Sequence, residues 1–229
     1  TNPDNDVVVS APAENASGAG DSTVDGTAPP ECANGTGDAM PASTASGHDE
    51  ATWAVDGCPA DSVIYALENL YPDAPPHVVL SGITEGQNVG DISGGLLSQI
   101  SGTVGAAKTA ACADVPALAS SQGDGETVDF PVGLVEVLAW LEANRAALLA
   151  GEVSVENITS INIPSCDGEG EIRGTLMVPL ATENPNGHVL NGPQDCTSTV
   201  DDVPNDVEAF FNGYTTITPV PRNTTCPDK

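Results

Sequence analysis

Val78-Val79-Leu80-Ser81-Gly82-Ile83-Thr84-Glu85-Gly86-Gln87-Asn88-Val89-Gly90, followed by Ser101-Gly102-Thr103-Val104-Gly105-Ala106-Ala107, decides the fold of this chain. A short apolar run breaks into glycines and small polar residues, and a second Gly/Ser/Thr turn opens a run of Ala, Val and Lys that reads as helix. In α/β sheets the carboxyl end of a buried strand delivers a polar loop there. The next helix then presents backbone N–H groups that suit an anion. The pattern predicts a small anionic ligand such as phosphate, although Gly/Ser loops also serve as plain turns.

Working outward, strands and helices alternate. Val7 to Ser10 reads as a buried strand. Residues 16–50 are rich in Gly, Ser, Thr, Ala, Pro and acid, a long polar excursion with hardly a large apolar residue. Asp61 to Leu70 reads as a helix, with Val63, Ile64, Leu67 and Leu70 on one face and Pro59 near its start. His77 to Leu80 is a strand ended by Ser81-Gly82, Thr103 to Cys112 a small-residue helix, and Ala117 to Ala119 a short strand. Pro131 to Leu149 is the strongest helix, its stripe made of Val132, Val135, Leu138, Ala139, Leu141 and Leu148-Leu149, stopped by Gly151. Ser160 to Ile163 is a further strand. Beyond it the pattern turns strand-like, through Leu176-Met177-Val178-Pro179-Leu180 and Thr215 to Val220. One α/β domain over 1–229 is predicted, a Rossmann-like, mostly parallel sheet flanked by helices, with residues 165–229 a β-rich C-terminal arm.

At 229 residues and 39% hydrophobic content, a single sizeable core is expected. There is no apolar run of about 18 residues and so no predicted membrane span. The absence of a charged-then-apolar leader fits a mature exported form or a cytosolic protein. Thirty-three acidic residues face only Lys108, Arg145, Arg173, Arg222 and Lys229, a net charge of −28. That balance excludes nucleic-acid polymers as partners. It repels a phosphate ester unless a cation inverts the local sign, and it suits a saline or extracellular setting.

Other constellations are weak. His48, His77 and His188 are too scattered for a ligand motif, and no Gly-x-Ser-x-Gly elbow is present. Asp201-Asp202 and Asp206 to Glu208 form either a loose calcium-binding run or the acidic start of a helix leading to Phe210-Phe211. Trp53 and Trp140 read as core or rim packing.

Several segments resemble one family in order. Val7-Val8-Val9-Ser10-Ala11-Pro12-Ala13-Glu14-Asn15-Ala16-Ser17-Gly18-Ala19-Gly20 resembles the second-strand segment of the SurE (survival protein E) family, metal-dependent 5'/3'-nucleotidases and acid phosphatases. Val55-Asp56-Gly57-Cys58-Pro59-Ala60-Asp61-Ser62-Val63 resembles its next motif, and the two opening stretches the two after that. Asp206-Val207-Glu208-Ala209 through Gly213-Tyr214-Thr215-Thr216-Ile217-Thr218-Pro219 is similar to its C-terminal segment. The matches span residues 7 to 221 and are nearest the secreted bacterial branch.

The resemblance implies a divalent metal, Mg or Mn, with Ser17 and the position of Thr84 among its ligands. It implies phosphate held by Ser101, Gly102 and Thr103, with Asn88 lining the site. Two departures stand out. The family's Thr-Asn-Asp-Asp-Gly motif, whose aspartates hold the metal, has no counterpart beyond Thr1-Asn2-Pro3-Asp4-Asn5-Asp6; Asp4 and Asp6 would be poor substitutes. Thr84 stands where the family has Asn, so one of four expected ligands survives, and a hard cation has little to hold it. The catalytic residues are thus unassigned.

The same resemblance implies that the family's first strand and helix are missing from this stretch, which would leave two unpaired strand edges. Another polypeptide would then donate a strand, or copies would assemble, in the extreme as filaments. Thr175 to Leu180 and Gly213 to Pro221 are the expected oligomer contacts, since the family uses C-terminal arms in this way.

Six cysteines without a C-x-x-C point to disulfides rather than zinc. The expected pairs are Cys166–Cys196 and Cys32–Cys58. Cys112 and Cys226 are either bonded to each other or free, Cys112 then being a buried thiol. Sequons at Asn15, Asn34, Asn157 and Asn223 agree with export, and a glycan on Asn15 would cover the mouth of the site beside Ser17. Two functions follow: a secreted SurE-like phosphomonoesterase, impaired in the chain as it stands, or a catalytically degenerate extracellular assembly subunit.

Overall fold

The computed structural model describes residues 5–24, 32, 34–42, 52–91, 100–126, 128–167, 170–188, 192–222 and 226. The elements run β1 (Val9–Pro12), β2 (Ala39–Pro41), β3 (Thr52–Val55), α1 (Pro59–Tyr65, prolonged by a π-helical turn Ala66–Leu70), β4 (Val79–Glu85), α2 (Gly102–Cys112), β5 (Ala117–Gln122), α3 (Phe130–Ala150), β6 (Asn157–Ile163), β7 (Thr175–Met177), α4 (Asp206–Phe211) and β8 (Thr215–Pro221). Two sheets form, ordered β1-β3-β2 and β4-β5-β6-β8-β7. Pairing is parallel between β1 and β3, β4 and β5, β5 and β6, and β7 and β8; β2 and β8 run antiparallel to β3 and β6. The expected mixed α/β architecture with a mostly parallel central sheet is what the chain adopts.

Strand alternation sorts the core into two layers. Ala117, Ala119, Ile158 and Val220 face α2 and α1, which also pack on each other. Leu118, Ile161 and Ile163 face the opposite way, onto Val137 of α3. Helix α2 can lie close because its buried surface is small: Val104, Gly105, Ala106, Ala107, Ala110 and Ala111. Burying each Val or Ile of this layer contributes about 1.5–3 kcal/mol. Because β4, β5 and β6 step in one direction while α2 and α3 cover opposite faces, one of the two crossovers is left-handed, against the usual preference.

Several expectations change. β1 lies two residues further on than expected and is only half-buried, with Val7 and Val9 exposed, because it edges a small sheet rather than sitting inside one. β4 continues through Ser81-Gly82 to Glu85, Thr84 and Glu85 pairing with Ser121 and Gln122. In α3, Val132, Val137, Trp140 and Leu141 pack against the sheet and Gly133 and Leu148 are buried, so Val132, Leu141 and Leu148 of the expected stripe turn inward, while Val135, Leu138 and Leu149, like Leu134, are exposed. Gly213 to Pro221 is not a projecting arm: its β-branched alternation makes β8 an interior strand between β6 and β7, with Thr215, Thr216, Thr218 and Val220 buried. Of the strands in the expected C-terminal arm, β7, with Met177 exposed, is the one at an edge. Residues 16–50 are not wholly irregular, since β2 lies among them. Asp206 and Glu208 do begin a helix, capped by Asn205.

Among the described residues β1 and β2 edge the small sheet, and β4 and β7 edge the larger one. Three disulfides join Cys32–Cys58, Cys112–Cys226 and Cys166–Cys196, the first and third as expected and the second resolving the open alternative. No helix among the described residues is long and apolar enough to cross a membrane.

Candidate functional site

Three segments meet at the carboxyl ends of β1 and β4. The first is the loop after β1. Its Asn15 side chain accepts the Ser17 N–H at 3.0 Å, leaving Ser17 exposed between buried Ala16 and Ala19. Ala16 and Ala19 rest on the Cys32–Cys58 bridge. Further on, the Val24 N–H donates to the Asp61 carboxylate at 3.1 Å, and Asp61 also accepts the Cys58 N–H at 2.8 Å in the first turn of α1. One buried carboxylate therefore fixes both the helix start and the end of the loop.

The second segment is the start of α2. Ser101 is its N-cap, its hydroxyl oxygen accepting the Val104 N–H at 3.2 Å. Capping leaves the hydroxyl proton available and leaves the amides of Gly102 and Thr103 without intrahelical acceptors, which is the arrangement that receives an anion. The first loop is pressed against this helix: the Gly20 N–H reaches the Ile100 carbonyl at 3.4 Å. A Cβ at Gly105 would collide with the Gly20 backbone. Only glycine permits that approach.

The third is the loop after β4, held from many directions. The Gly86 N–H donates to Gln122 O at 2.8 Å. Asn88 donates its backbone N–H to Asn162 Oδ1 at 2.7 Å, accepts from Asn162 Nδ2 at 3.1 Å, and sends its side-chain amide to Ser121 Oγ at 2.7 Å. Asn88 is thus clamped onto β5 and β6. The Gly90 N–H donates to Asp206 Oδ2 at 2.8 Å and the Ala181 N–H to Asp206 Oδ1 at 2.7 Å, while the Asp91 N–H donates to Ala181 O at 2.6 Å. Burial pushes the Asp206 carboxyl up from its ordinary value, overriding the backbone N–H groups that pull it down.

Thr84, expected among metal ligands, donates its hydroxyl to the neighbouring Glu85 carbonyl at 3.3 Å. Among the described residues no group of three His, Cys, Asp or Glu side chains that could hold a metal is formed. Ser17 and Thr84 supply two neutral hydroxyls and no carboxylate pair, so these residues do not fit a hard divalent cation. Of the sequons, Asn15, Asn34 and Asn157 are exposed; Asn223 lies outside the described residues, as do His48 and Asp4.

Sequence reading missed three features. Lys108 is buried within α2; the signal was there, a lone charge in Gly105-Ala106-Ala107-Lys108-Thr109-Ala110-Ala111. Asp206 emerged as a loop anchor, not merely a helix-starting acid. His188 stacks on Phe211 with ring centroids 4.8 Å apart and stands 3.2 Å from Glu208 Oε2, which also accepts from Asn186 at 2.8 Å. Nothing in the spacing of 186, 188, 208 and 211 signals that convergence.

The family model described as Survival protein SurE matches residues 1–186. The 5'-nucleotidase SurE of Rhizorhabdus wittichii is 35% identical over 136 residues, 57% of this chain and 49% of that protein. The 5'-nucleotidase SurE of Wolbachia pipientis is 31% identical over 186 residues, covering 76% and 66%. The crystal structure of the SurE protein of Aquifex aeolicus matches with a TM-score of 0.57 at 25% identity, over 78% of this chain and 73% of that one. The chain spans about half the length of the first of these curated relatives. With the family model covering most of its length and the glycine-opened helix and strand loops where the resemblance placed them, the chain belongs to the SurE family.

Proposed function

We propose that this chain is the phosphate-binding body of a phosphomonoesterase acting on nucleoside monophosphates. The observation that carries the reading is the start of α2, where Ser101 caps the helix and the Ser17 loop packs against it through Gly20 and Gly105. Relatives called 5'-nucleotidases match this chain over 136 and 186 residues. In this reading the Gly102 and Thr103 N–H groups and the Ser101 hydroxyl hold the phosphoryl oxygens, and Asn88, immobilised by Asn162 and Ser121, fixes the floor of the pocket. A divalent metal, where the family resemblance brings one, would polarise the phosphoryl group and activate water. The described residues do not hold it, and no step is routed through it.

The test is phosphate release from nucleoside 5'- and 3'-monophosphates by the full-length protein, with and without Mg²⁺ or Mn²⁺. Release that follows metal addition supports the reading; none under any metal sinks it. Export, glycosylation at the exposed sequons and oligomer formation belong to the same proposal, and mass analysis of the native protein reads the first two.

A further inference from the structure

Helix α3 is apolar on both sides. On one, Val137 and Leu141 pack against the sheet and Leu148 is buried. On the other, Leu134, Val135, Leu138 and Leu149 are each at least half exposed, with exposed Ala139 and Ala146 between them. A helix that is apolar all round is ordinarily buried all round. The outer side of α3 presents on the order of 600 Å² of apolar surface, a size at which a patch marks an interaction site.

The outer positions form a seam. Val135, Leu138, Glu142, Arg145 and Leu149 alternate at three- and four-residue steps, the spacing of helices that pack on helices. The two charges in its middle have opposite signs. Glu142 is exposed; Arg145 is half-buried and donates from one guanidinium nitrogen to Asn5 at 3.1 Å, with further N–H groups to give. The third charged residue of α3, Glu136, accepts the Thr175 hydroxyl at 3.0 Å and lies off the seam.

That pattern selects the occupant. A two-fold axis beside Glu142 lays two copies of α3 antiparallel, with Val135 of each against Leu149 of the other, Leu138 against Ala146, and Glu142 beside Arg145. A parallel pairing would set Glu142 against Glu142 and Arg145 against Arg145. Covering both patches removes on the order of 1,200 Å² from water, the lower bound for a specific pair. A lipid surface fits less well. Interfacial helices line their polar flanks with Lys and Arg, whereas α3 has Arg145 alone, and anionic lipid repels a chain of net charge −28.

We propose that the outer side of α3 is the contact between two copies of this chain, packed antiparallel about Glu142. The inference rests on the oligomer formation proposed above and gives it a surface; it does not rest on phosphate release. The surface is not that of the C-terminal strands expected to make such contacts, of which β8 is interior.

Sedimentation equilibrium of the full-length protein over about 1–100 μM tests this. The parent should dimerise, and more tightly as NaCl rises, since the seam is apolar while the rest of two acidic molecules repel each other. Leu138→Glu should weaken the dimer about thirtyfold or more, the scale of a central contact, with an unchanged circular dichroism spectrum because Leu138 is exposed. Glu142→Arg should also weaken it, and Glu142→Arg/Arg145→Glu should restore it, as exchanging the members of an antiparallel pair does. Phosphate release should be equal in the parent and these variants, so this reading and the enzyme reading fail separately. A parent that stays monomeric overturns the proposal together with the oligomer formation it rests on. A dimer indifferent to Leu138→Glu overturns the proposal alone and moves the contact elsewhere, and a double exchange that restores nothing overturns the antiparallel packing. Binding of the monomer to phosphatidylcholine vesicles that is lost in Leu138→Glu overturns it too, by making the occupant a lipid surface.

Discussion

Asp206 shows how one side chain governs a site it does not enter. Its two oxygens accept N–H groups from Gly90 and Ala181, one in the loop after β4 and one in the segment after β7. With 1% exposure, no water can replace it. Asp206→Ala leaves both amides buried and unpaired, and should destabilise the protein by about 2–4 kcal/mol, read from the urea midpoint. The pH dependence follows from burial. The folded carboxyl holds its proton more tightly than the unfolded chain does at 3.8. Between 3.8 and the raised folded value, stability therefore falls as pH rises. That slope should be present in the parent and missing in Asp206→Ala; an Asp206→Ala curve parallel to the parent's would show that another group titrates. None of this was legible in the sequence, where Asp206 read as a helix-starting acid. The long-range partners 90 and 181 exist only once the chain is folded.

At the scale of elements, the approach of the Ser17 loop to α2 depends on two facing glycines, and two alanine substitutions separate space from conformation. Gly151 ends α3 at φ 68°, with open space for 4 Å around the point where a Cβ would stand. Gly151→Ala meets only the left-handed backbone penalty, about 1 kcal/mol. Gly105→Ala keeps ordinary helical dihedrals but drives a methyl into the Gly20 backbone. It should cost about 1–3 kcal/mol and, unlike Gly151→Ala, should also weaken phosphate binding as the loop retreats. Equal phosphate affinity in the two variants would separate the loop from the site. The strand–loop–helix from Val78 to Cys112 was readable because glycine and serine punctuation is local chemistry. The depth of β1, the outward face of α3 and the interior place of β8 were not, since each depends on which strand lies alongside. The two crossovers of opposite hand defeat any reading that assumes a single preference. The metal donor set was legible only as a deficit: Thr84 could be seen to be a poor ligand, and in the structure its hydroxyl turns to Glu85.

At the scale of the whole molecule, charge was fully legible and its consequence is thermodynamic. Thirty-three acidic groups face five basic ones. The arginine ion pairs among the described residues, Arg173–Asp201, Arg222–Asp114 and Arg222–Glu156, neutralise few carboxylates. Mutual repulsion favours the expanded chain, where like charges are further apart. Disulfides oppose it: Cys112–Cys226, 114 residues apart, ties the C-terminal segment to the end of α2 and restricts the unfolded chain by about 5 kcal/mol. Raising salt from about 10 mM to about 1 M shrinks the Debye length from about 30 Å to about 3 Å, so the melting temperature should climb steeply with NaCl and equally with KCl. Phosphate affinity should rise over the lower part of that range, because the repelling field of the acidic surface is screened at long reach. It should then fall as chloride competes. A melting temperature indifferent to salt would mean that the acidic surface is dispersed too thinly to strain the fold. A response confined to one cation would instead mark carboxylates that bind that ion specifically.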